Sequence, residues 1–177
     1  VGRYAGPRGL AIVALAGTRH AVTAPRLAVV VSIFEEARMT REAIVMPPAA
    51  RPRALNIVGE RLTVLAEQSA TQGYEVFLQE GPAGSGPPPH HHTWDEAFFV
   101  LEGEVDFGVG ARELTATAGT FVHLPAGTIH WFRFGPAGGR MRSLTGAGSK
   151  AAAFFTGVDA ALPRGEVDVA VIGAVAA

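Results

Sequence analysis

Short apolar runs alternate with turn-forming residues through the middle of the chain. The clearest alternation covers 104–109, where apolar side chains share one face and carboxylates share the other. We interpret Glu102-Gly103 as the turn before it. Many short strands with regular turns predict an all-β antiparallel sandwich or barrel. The predicted strands cover 62–66, 74–79, 96–101, 105–109, 114–116, 120–123, 128–134 and 141–144.

Both ends of the chain depart from this pattern. Alanine-rich stretches at 150–155 and 167–176 predict C-terminal helices. Three prolines within 46–53 indicate a linker, because proline cannot donate a hydrogen bond to a sheet. The chain is therefore divided into an N-terminal extension (1–38), a linker (39–54), a barrel domain (55–148) and a C-terminal helical segment (149–177).

The N-terminal extension is open to three interpretations. Arg3 and Arg8 precede the apolar stretch 10–15, which is the arrangement of a cleaved signal peptide. We prefer an upstream extension, with the natural product starting at Met39. The apolar run 27–34 could instead add an edge strand to the barrel or to a partner subunit. Neither apolar run is long enough to span a membrane, and we expect a cytoplasmic protein.

Composition narrows the chemistry that these strands can support. Hydrophobic residues make up 48% of the chain and charged residues 18%, which is typical of a globular domain. The formal net charge of -1 provides no basic field for a phosphate backbone, so we expect no nucleic-acid partner. Because the chain has no cysteine, disulfides and thiolate metal sites are excluded, and any metal must be held by histidine and carboxylate.

One segment, GSGPPPHHHTWDEAFFVLEG at 84–103, concentrates residues that bind metals. His90, His92 and Glu96 have the same parity, so an extended segment would direct all three side chains to one face. His91 has the opposite parity, and we expect it to face solvent or to support a ligand from outside the shell. The neighbouring Asp95 and Glu102 are expected to be exposed.

A second segment, GTFVHLPAGTIHWF at 119–132, supplies the fourth ligand. A tight turn at 125–127 leads into the strand that begins with His130. Three imidazoles and one carboxylate suit Fe, Mn, Ni, Co, Cu or Zn, whereas Ca²⁺ and Mg²⁺ favour oxygen ligands. We therefore predict one divalent transition metal held by His90, His92, Glu96 and His130.

Aromatic residues near the predicted ligands are candidates for a substrate pocket. Phe98, Phe132 and Phe134 share parity with the ligands, and we expect them to line the cavity. Val100 also has this parity, but we assign it to the barrel core. His123 is predicted to be a hydrogen-bonded barrel histidine. Arg133 is expected to face outward and is not assigned to the substrate.

The two segments resemble the two characteristic motifs of the cupin superfamily, G-x5-H-x-H-x3,4-E-x6-G and G-x5-P-x-G-x2-H-x3-N. Every position matches except the last, where Phe134 replaces an asparagine that is not a metal ligand in the family. The resemblance covers roughly residues 55–145. It implies a double-stranded β-helix, also called a jelly-roll barrel, with the metal inside the barrel.

Within the superfamily, residues 73–105 are most similar to the quercetin 2,3-dioxygenase-type cupins. This resemblance implies a metal-dependent dioxygenase that acts on a small chelating enol or aromatic substrate. Glu96 would be both a ligand and the base that takes the substrate's hydroxyl proton.

Two other functions stay open at this point. One is a non-catalytic cupin that binds a metal or a small ligand. The other is a metal-dependent isomerase or epimerase of a sugar or small acid, which would need several cationic or polar groups inside the barrel. Exposed edge strands favour a homodimer, since a partner protects them.

Overall fold

The computed structural model describes residues 10–14, 29–33, 42–162 and 168–176, which fall into two compact units. In the N-terminal unit, β1 (Leu10–Ala14) pairs antiparallel with β2 (Val29–Ile33). The apolar run considered as an edge strand therefore pairs with another N-terminal strand in a separate two-stranded sheet. Residues 3, 8 and 39, which the other two interpretations need, lie outside the described residues.

The larger unit consists mainly of β-strands, with short helices after them. The strands are β3 (Leu55–Ile57), β4 (Glu60–Ala66), β5 (Glu75–Gly81), β6 (Glu96–Val109), β7 (Arg112–Thr117), β8 (Phe121–Leu124) and β9 (His130–Thr145). The helices are α1 (Gln68–Thr71), α2 (Ala151–Ala161) and α3 (Val169–Ala176), and a 3-10 turn covers Pro48–Ala50 in the predicted linker.

All seven strands of this unit belong to one antiparallel sheet. Its order is β3-β4-β5-β9-β6-β7, and β8 pairs with the first part of β6. The all-β antiparallel barrel predicted from the sequence is confirmed, and so are the C-terminal helices. The first of these, α2, extends six residues beyond the predicted end at residue 155.

The predicted turn at Glu102-Gly103 is wrong. Both residues lie inside β6, which runs unbroken from Glu96 to Val109 and pairs with an equally continuous β9. The pairing register shifts between Val100 and Glu102 and again between Gly103 and Val105, so the turn signal marks β-bulges that bend the strand. Gly103 has a φ of +74°, and a Cβ there would lie 2.3 Å from the Gly138 carbonyl oxygen.

The buried apolar residues form two clusters. One fills the barrel between β6, β7, β8 and β9. The other packs α2 and neighbouring residues against β3, β4 and β5, and Phe77 meets Phe155 edge to face with ring centroids 5.3 Å apart. The C-terminal helix α2 is thereby part of the barrel's core.

A buried carboxylate fastens the beginning of α2 to the sheet. Glu75, on β5, accepts hydrogen bonds from the Ser149 hydroxyl at 2.7 Å and the Ala152 N–H at 3.2 Å. The Thr145 hydroxyl donates to the same oxygen at 3.3 Å. Because backbone N–H groups at a helix N-terminus favour a negative charge, Glu75 stabilises both the helix and its position.

Replacing this carboxylate should weaken the whole barrel. We expect Glu75→Ala to lower the free energy of unfolding by about 2 kcal/mol, since it leaves buried donors without a partner. Urea denaturation followed by circular dichroism measures the change. The exposed Glu104 on β6 is the control, because its replacement by alanine should cost less than about 0.5 kcal/mol. Equal losses in the two variants would contradict the role of Glu75.

Candidate metal centre

Three histidines from two separate segments of the chain meet at one end of the barrel. His90 is paired with His130, the first residue of β9, through two backbone hydrogen bonds of 2.9 Å. His92 lies in the following loop. Ring nitrogens of His90, His92 and His130 lie within 4.8 Å of one another, so the three can hold one metal ion.

The histidines are brought together by a loop and not by the extended segment that was predicted. Residues 91–95 are not a strand, and β6 begins only at Glu96. The loop is held by the Gly127 N–H, which donates to the His92 carbonyl at 2.8 Å, and by the Gly146 N–H, which donates to the Asp95 carbonyl at 2.8 Å. The tight turn at 125–127 therefore positions His92 as well as leading to His130.

Each histidine presents the same ring nitrogen to the centre. The Nδ1 atoms of His90, His92 and His130 lie 2.9, 2.8 and 2.8 Å from the backbone carbonyls of Pro88, Trp94 and Thr128 respectively. A carbonyl can only accept, so every Nδ1 carries the proton. The Nε2 atoms are left as the ligands, with orientation set by the backbone.

Glu96 touches two of the three histidines. Its Oε2 lies 2.9 Å from Nε2 of His92 and 3.4 Å from Nε2 of His130. Burial by itself would raise the pKa of this carboxyl, but the adjacent imidazoles of His130 and His92 outweigh burial and lower it. Glu96 is therefore held as a carboxylate beside the ring nitrogens.

The pKa values of His90 and His92 shift in opposite directions. Burial, together with the positive charge that His130 can carry, lowers the pKa of His90. Burial also acts against the charged form of His92, but the hydrogen bond and charge of Glu96 outweigh it and raise the pKa of His92. His92 therefore keeps a proton beside the charge of Glu96 up to a higher pH than an unperturbed imidazole would.

A buried ring nitrogen supports the fit of a metal to these residues. Nε2 of His130 is enclosed and has no hydrogen-bond partner. Its side chain is 1% exposed, so water does not satisfy it from bulk solvent. A metal ion at the centre of the cluster would give this nitrogen a partner and would replace the proton on His92. Imidazole nitrogens with one carboxylate suit a divalent transition metal.

Arg133 fixes the proline-rich approach to the first ligand. Its guanidinium donates to the carbonyls of Gly86 at 2.8 Å, Pro87 at 2.5 Å and Phe132 at 2.7 Å. The outward parity of Arg133 gave no indication of this role. Because Arg133 is on β9, its bonds to the Gly86 and Pro87 carbonyls tie the loop that carries His90 to this strand.

An apolar cavity of about 250 Å³ opens beside the histidines. Phe98 and Phe132 line it, as expected, but Phe134 does not. The Phe134 ring packs 5.7 Å from the Phe132 ring, against the glycines at 81 and 139, where a Cβ would lie within 3 Å of it. Val100 is fully buried in the barrel core.

Several cavity residues were not predicted from the sequence. They are Ile57, Val58, Glu60, Leu62, Gln79, Trp94, Thr145, Ala151, Phe154, Phe155, Val158 and Ile172. Trp94 stacks on the His92 ring at 4.7 Å with the planes 5° apart. Parity does give one signal, because Glu60 is a carboxylate on the same face of β4 as Leu62 and Val64. Nothing in the local sequence of the C-terminal helices indicates that they contribute residues to the cavity wall.

Two other histidines in the described part of the chain, His91 and His123, are not members of the cluster. His91 is exposed, although it borders the cavity, and Asp95 and Glu102 are exposed as expected. His123 differs from its prediction as a barrel histidine. Its side chain is 49% exposed and its Nε2 lies 3.7 Å from Asp95, because alternate residues of the short β8 face outward.

Comparison with known proteins supports this centre. Residues 77–138 match the family model described as the cupin domain. This region belongs to the cupin family. The matched residues include all three histidines of the centre and Glu96.

Among curated proteins, the chain is similar to quercetin 2,3-dioxygenase of Bacillus subtilis (strain 168), at 34% identity over 80 residues. The match covers 44% of this chain and 24% of that protein, so the chain spans about a quarter of its relative.

Solved structures share the cupin fold. An RmlC-like cupin from Shewanella frigidimarina is 16% identical and matches 64% of this chain and 99% of its own, with a TM-score of 0.56. KdgF from Halomonas sp. is 13% identical and matches 63% and 99%, with a TM-score of 0.57. None of the helices in the described part of this chain is long and apolar enough to span a membrane.

Removing one of the three histidines should weaken metal binding at this centre. We expect His130→Ala to weaken Co²⁺ binding by more than about a hundredfold, since even the groups that orient metal ligands contribute about ten- to a hundredfold. Titration followed by visible absorption measures the affinity. His123→Ala, an exposed histidine on β8, should leave it unchanged. An unchanged affinity in His130→Ala would contradict the site.

Metal affinity should also decrease as the pH falls. His92 must lose its proton to bind metal, and its pKa is raised above 6.5, so Co²⁺ affinity should already fall as the pH drops toward 6.5. The pKa of His90 is lowered, so His92 takes a proton before His90 as the pH falls, and below the pKa of His92 the affinity should decrease by about tenfold per pH unit for each proton that the metal displaces. Co²⁺ titrations between about pH 8 and 6 test this. A flat profile would contradict the pairing of His92 with Glu96.

Proposed function

We propose that this chain is a metal-dependent dioxygenase of the quercetinase-like type, acting on a small chelating enol or aromatic substrate. One observation carries the proposal. The Nε2 atoms of three histidines converge with Glu96 beside them, and His90, His92 and Glu96 line a cavity that is otherwise largely apolar. An aromatic or enolic ring fits such a cavity, with its polar chelating groups directed to the metal.

His90, His92, His130 and Glu96 would hold the ion, which we propose to be Fe, Mn, Ni, Co, Cu or Zn. When bound, such an ion supplies open coordination positions for a chelating substrate and for oxygen. The protein contributes the ligand orientation, which the backbone carbonyls at Nδ1 already set.

Glu96 is the residue that we assign to proton transfer. Its carboxylate is buried at the cluster and stays ionised, because the neighbouring imidazoles lower its pKa. A substrate hydroxyl that reaches the cluster comes within hydrogen-bond distance of this carboxylate, which would accept its proton. Phe98 and Phe132 beside it exclude water from the reacting group.

The lining of the cavity counts against the isomerase or epimerase alternative. Among the described residues that form its wall there is no lysine or arginine. A sugar or small-acid substrate would require such cations or a larger set of polar groups. The similarity to quercetin 2,3-dioxygenase of Bacillus subtilis supports the dioxygenase, although it covers 24% of that protein. The homodimer and the cytoplasmic location stay predictions.

Oxygen uptake tests the proposed function. Protein reconstituted separately with each of the six metals is assayed in an oxygen electrode with a panel of flavonols and smaller chelating enols. We expect at least one metal to support oxygen consumption in proportion to the substrate that disappears. Glu96→Gln should lower kcat by about a hundredfold or more, because it removes the proton acceptor.

Glu102→Gln is the matched control, since this exposed glutamate lies on the same strand and pairs with Arg140 at the surface. It should keep full oxygen uptake. If every metal-loaded form binds the compounds but none consumes oxygen, the chain is a non-catalytic binding cupin and the dioxygenase proposal is wrong.

A further inference from the structure

Two buried polar side chains face the cavity without a partner. Glu60, the first residue of β4, is 4% exposed, and Gln79, on β5, is 3% exposed. Both line the cavity, and Oε2 of Glu60 and Oε1 of Gln79 have no hydrogen-bond partner. Nothing in the metal centre or in the proposed proton transfer uses them.

Strand pairing places the two side chains next to each other. Gln79 lies directly opposite Leu62 in the β4–β5 ladder, and Glu60 is two residues before Leu62 on the same face. Glu60 and Gln79 are therefore diagonal neighbours across the two strands, and the Cα atoms of such neighbours lie about 7 to 8 Å apart. One small polar group can reach both side chains. The metal ligands come from other segments, so this pair is a separate part of the wall.

Packing alone does not explain these two residues. Burying a polar group without a hydrogen bond is costly, and an apolar residue of similar size would avoid the cost. Glu75 provides the comparison within the same strand as Gln79. It is equally buried, but its carboxylate accepts bonds from Ser149 and Ala152. The chain thus satisfies one buried glutamate internally and leaves an oxygen of another, which lines the cavity, without a hydrogen-bond partner.

We propose that Glu60 and Gln79 form a recognition site for a hydroxyl group of the ligand, apart from the groups that chelate the metal. The inference rests on the proposed function in that it takes the ligand to be a metal-chelating ring. It narrows that class to rings with a further hydroxyl outside the chelating pair. Both open atoms are oxygens, and a hydroxyl can donate to one of them.

Electrostatics favour a neutral hydroxyl over an amine at this position. Burial raises the pKa of Glu60 well above its ordinary value, the charge of Glu96 adds to the increase, and Arg133 acts against it. A neutral carboxyl group can both donate to and accept from a hydroxyl. Glu60 itself therefore offers no negative charge to a cationic amine, and the charge of Glu96 is engaged by the histidines of the metal centre.

Matched ligands test the recognition site without any turnover. Kojic acid and allomaltol share the same chelating hydroxypyranone, and differ in that kojic acid carries a hydroxymethyl group where allomaltol carries a methyl group. Binding of each to the Zn²⁺-loaded protein is measured by isothermal titration calorimetry. We expect kojic acid to bind about tenfold more tightly, the usual range for one added hydrogen bond to a buried group.

The preference should disappear when the polar pair is removed. In Glu60→Leu and Gln79→Leu, allomaltol should bind at least as well as before and kojic acid should lose its advantage. Glu60→Gln retains a polar group of the same shape and should retain most of the preference. Ser143→Ala is the matched control, because Ser143 also has a buried oxygen without a partner but does not line the cavity. It should leave the preference unchanged.

Three outcomes would overturn the inference. They are equal affinity of the two compounds for the unaltered protein, an undiminished preference in both leucine variants, and no binding of either compound. The first needs no variant, so a leucine variant that fails to fold does not remove the test. Oxygen uptake is a separate readout. A hydroxyl preference without oxygen consumption would contradict the dioxygenase and leave the recognition site standing.

Discussion

Closure of the ladder between β6 and β9 is the constraint on which the site depends. Glu96 pairs with Thr145 at one end of this ladder, and His130 pairs with Val109 at the other. A straight 14-residue strand would hold these ends about 40 Å apart. Yet Oε2 of Glu96 lies 3.4 Å from Nε2 of His130. The strands must therefore curve back until their ends meet, and the bulges around Gly103 let them do so.

Local hydrogen bonds then orient the histidines that the curved strands bring together. Each histidine is oriented by a carbonyl two residues away in the chain, so its tautomer is set by the turn in which it lies. Arg133 holds the proline-rich approach to His90 in the same way, through backbone carbonyls. Little rearrangement is then needed when a metal binds, which reduces the entropic cost of assembling the shell. The 2.9 Å contact between His92 and Glu96 holds these two side chains together at the site.

Local spacing was enough to predict the strands, the family resemblance and the histidines that converge. It failed where structure depends on distant contacts. A glycine is expected both in a turn and in a β-bulge, so the sequence around Gly103 fits either structure. Only the pairing with β9 distinguishes the two. Glu60 and Gln79 become neighbours only when β4 pairs with β5, a long-range contact that the local sequence does not show. Phe134 has the expected parity, but its ring packs against the glycines at 81 and 139 and does not line the cavity.

The wall that α2 adds to the cavity has an evolutionary consequence. The cupin match ends at residue 138, before Ala151, Phe154, Phe155 and Val158, and begins after Glu60. Substitutions in these flanking elements can reshape the cavity without touching a metal ligand. Selection can therefore change which molecule enters while the coordination chemistry is inherited intact. Relatives that share the two histidine motifs are for this reason expected to agree in their metal chemistry and to diverge in their substrates.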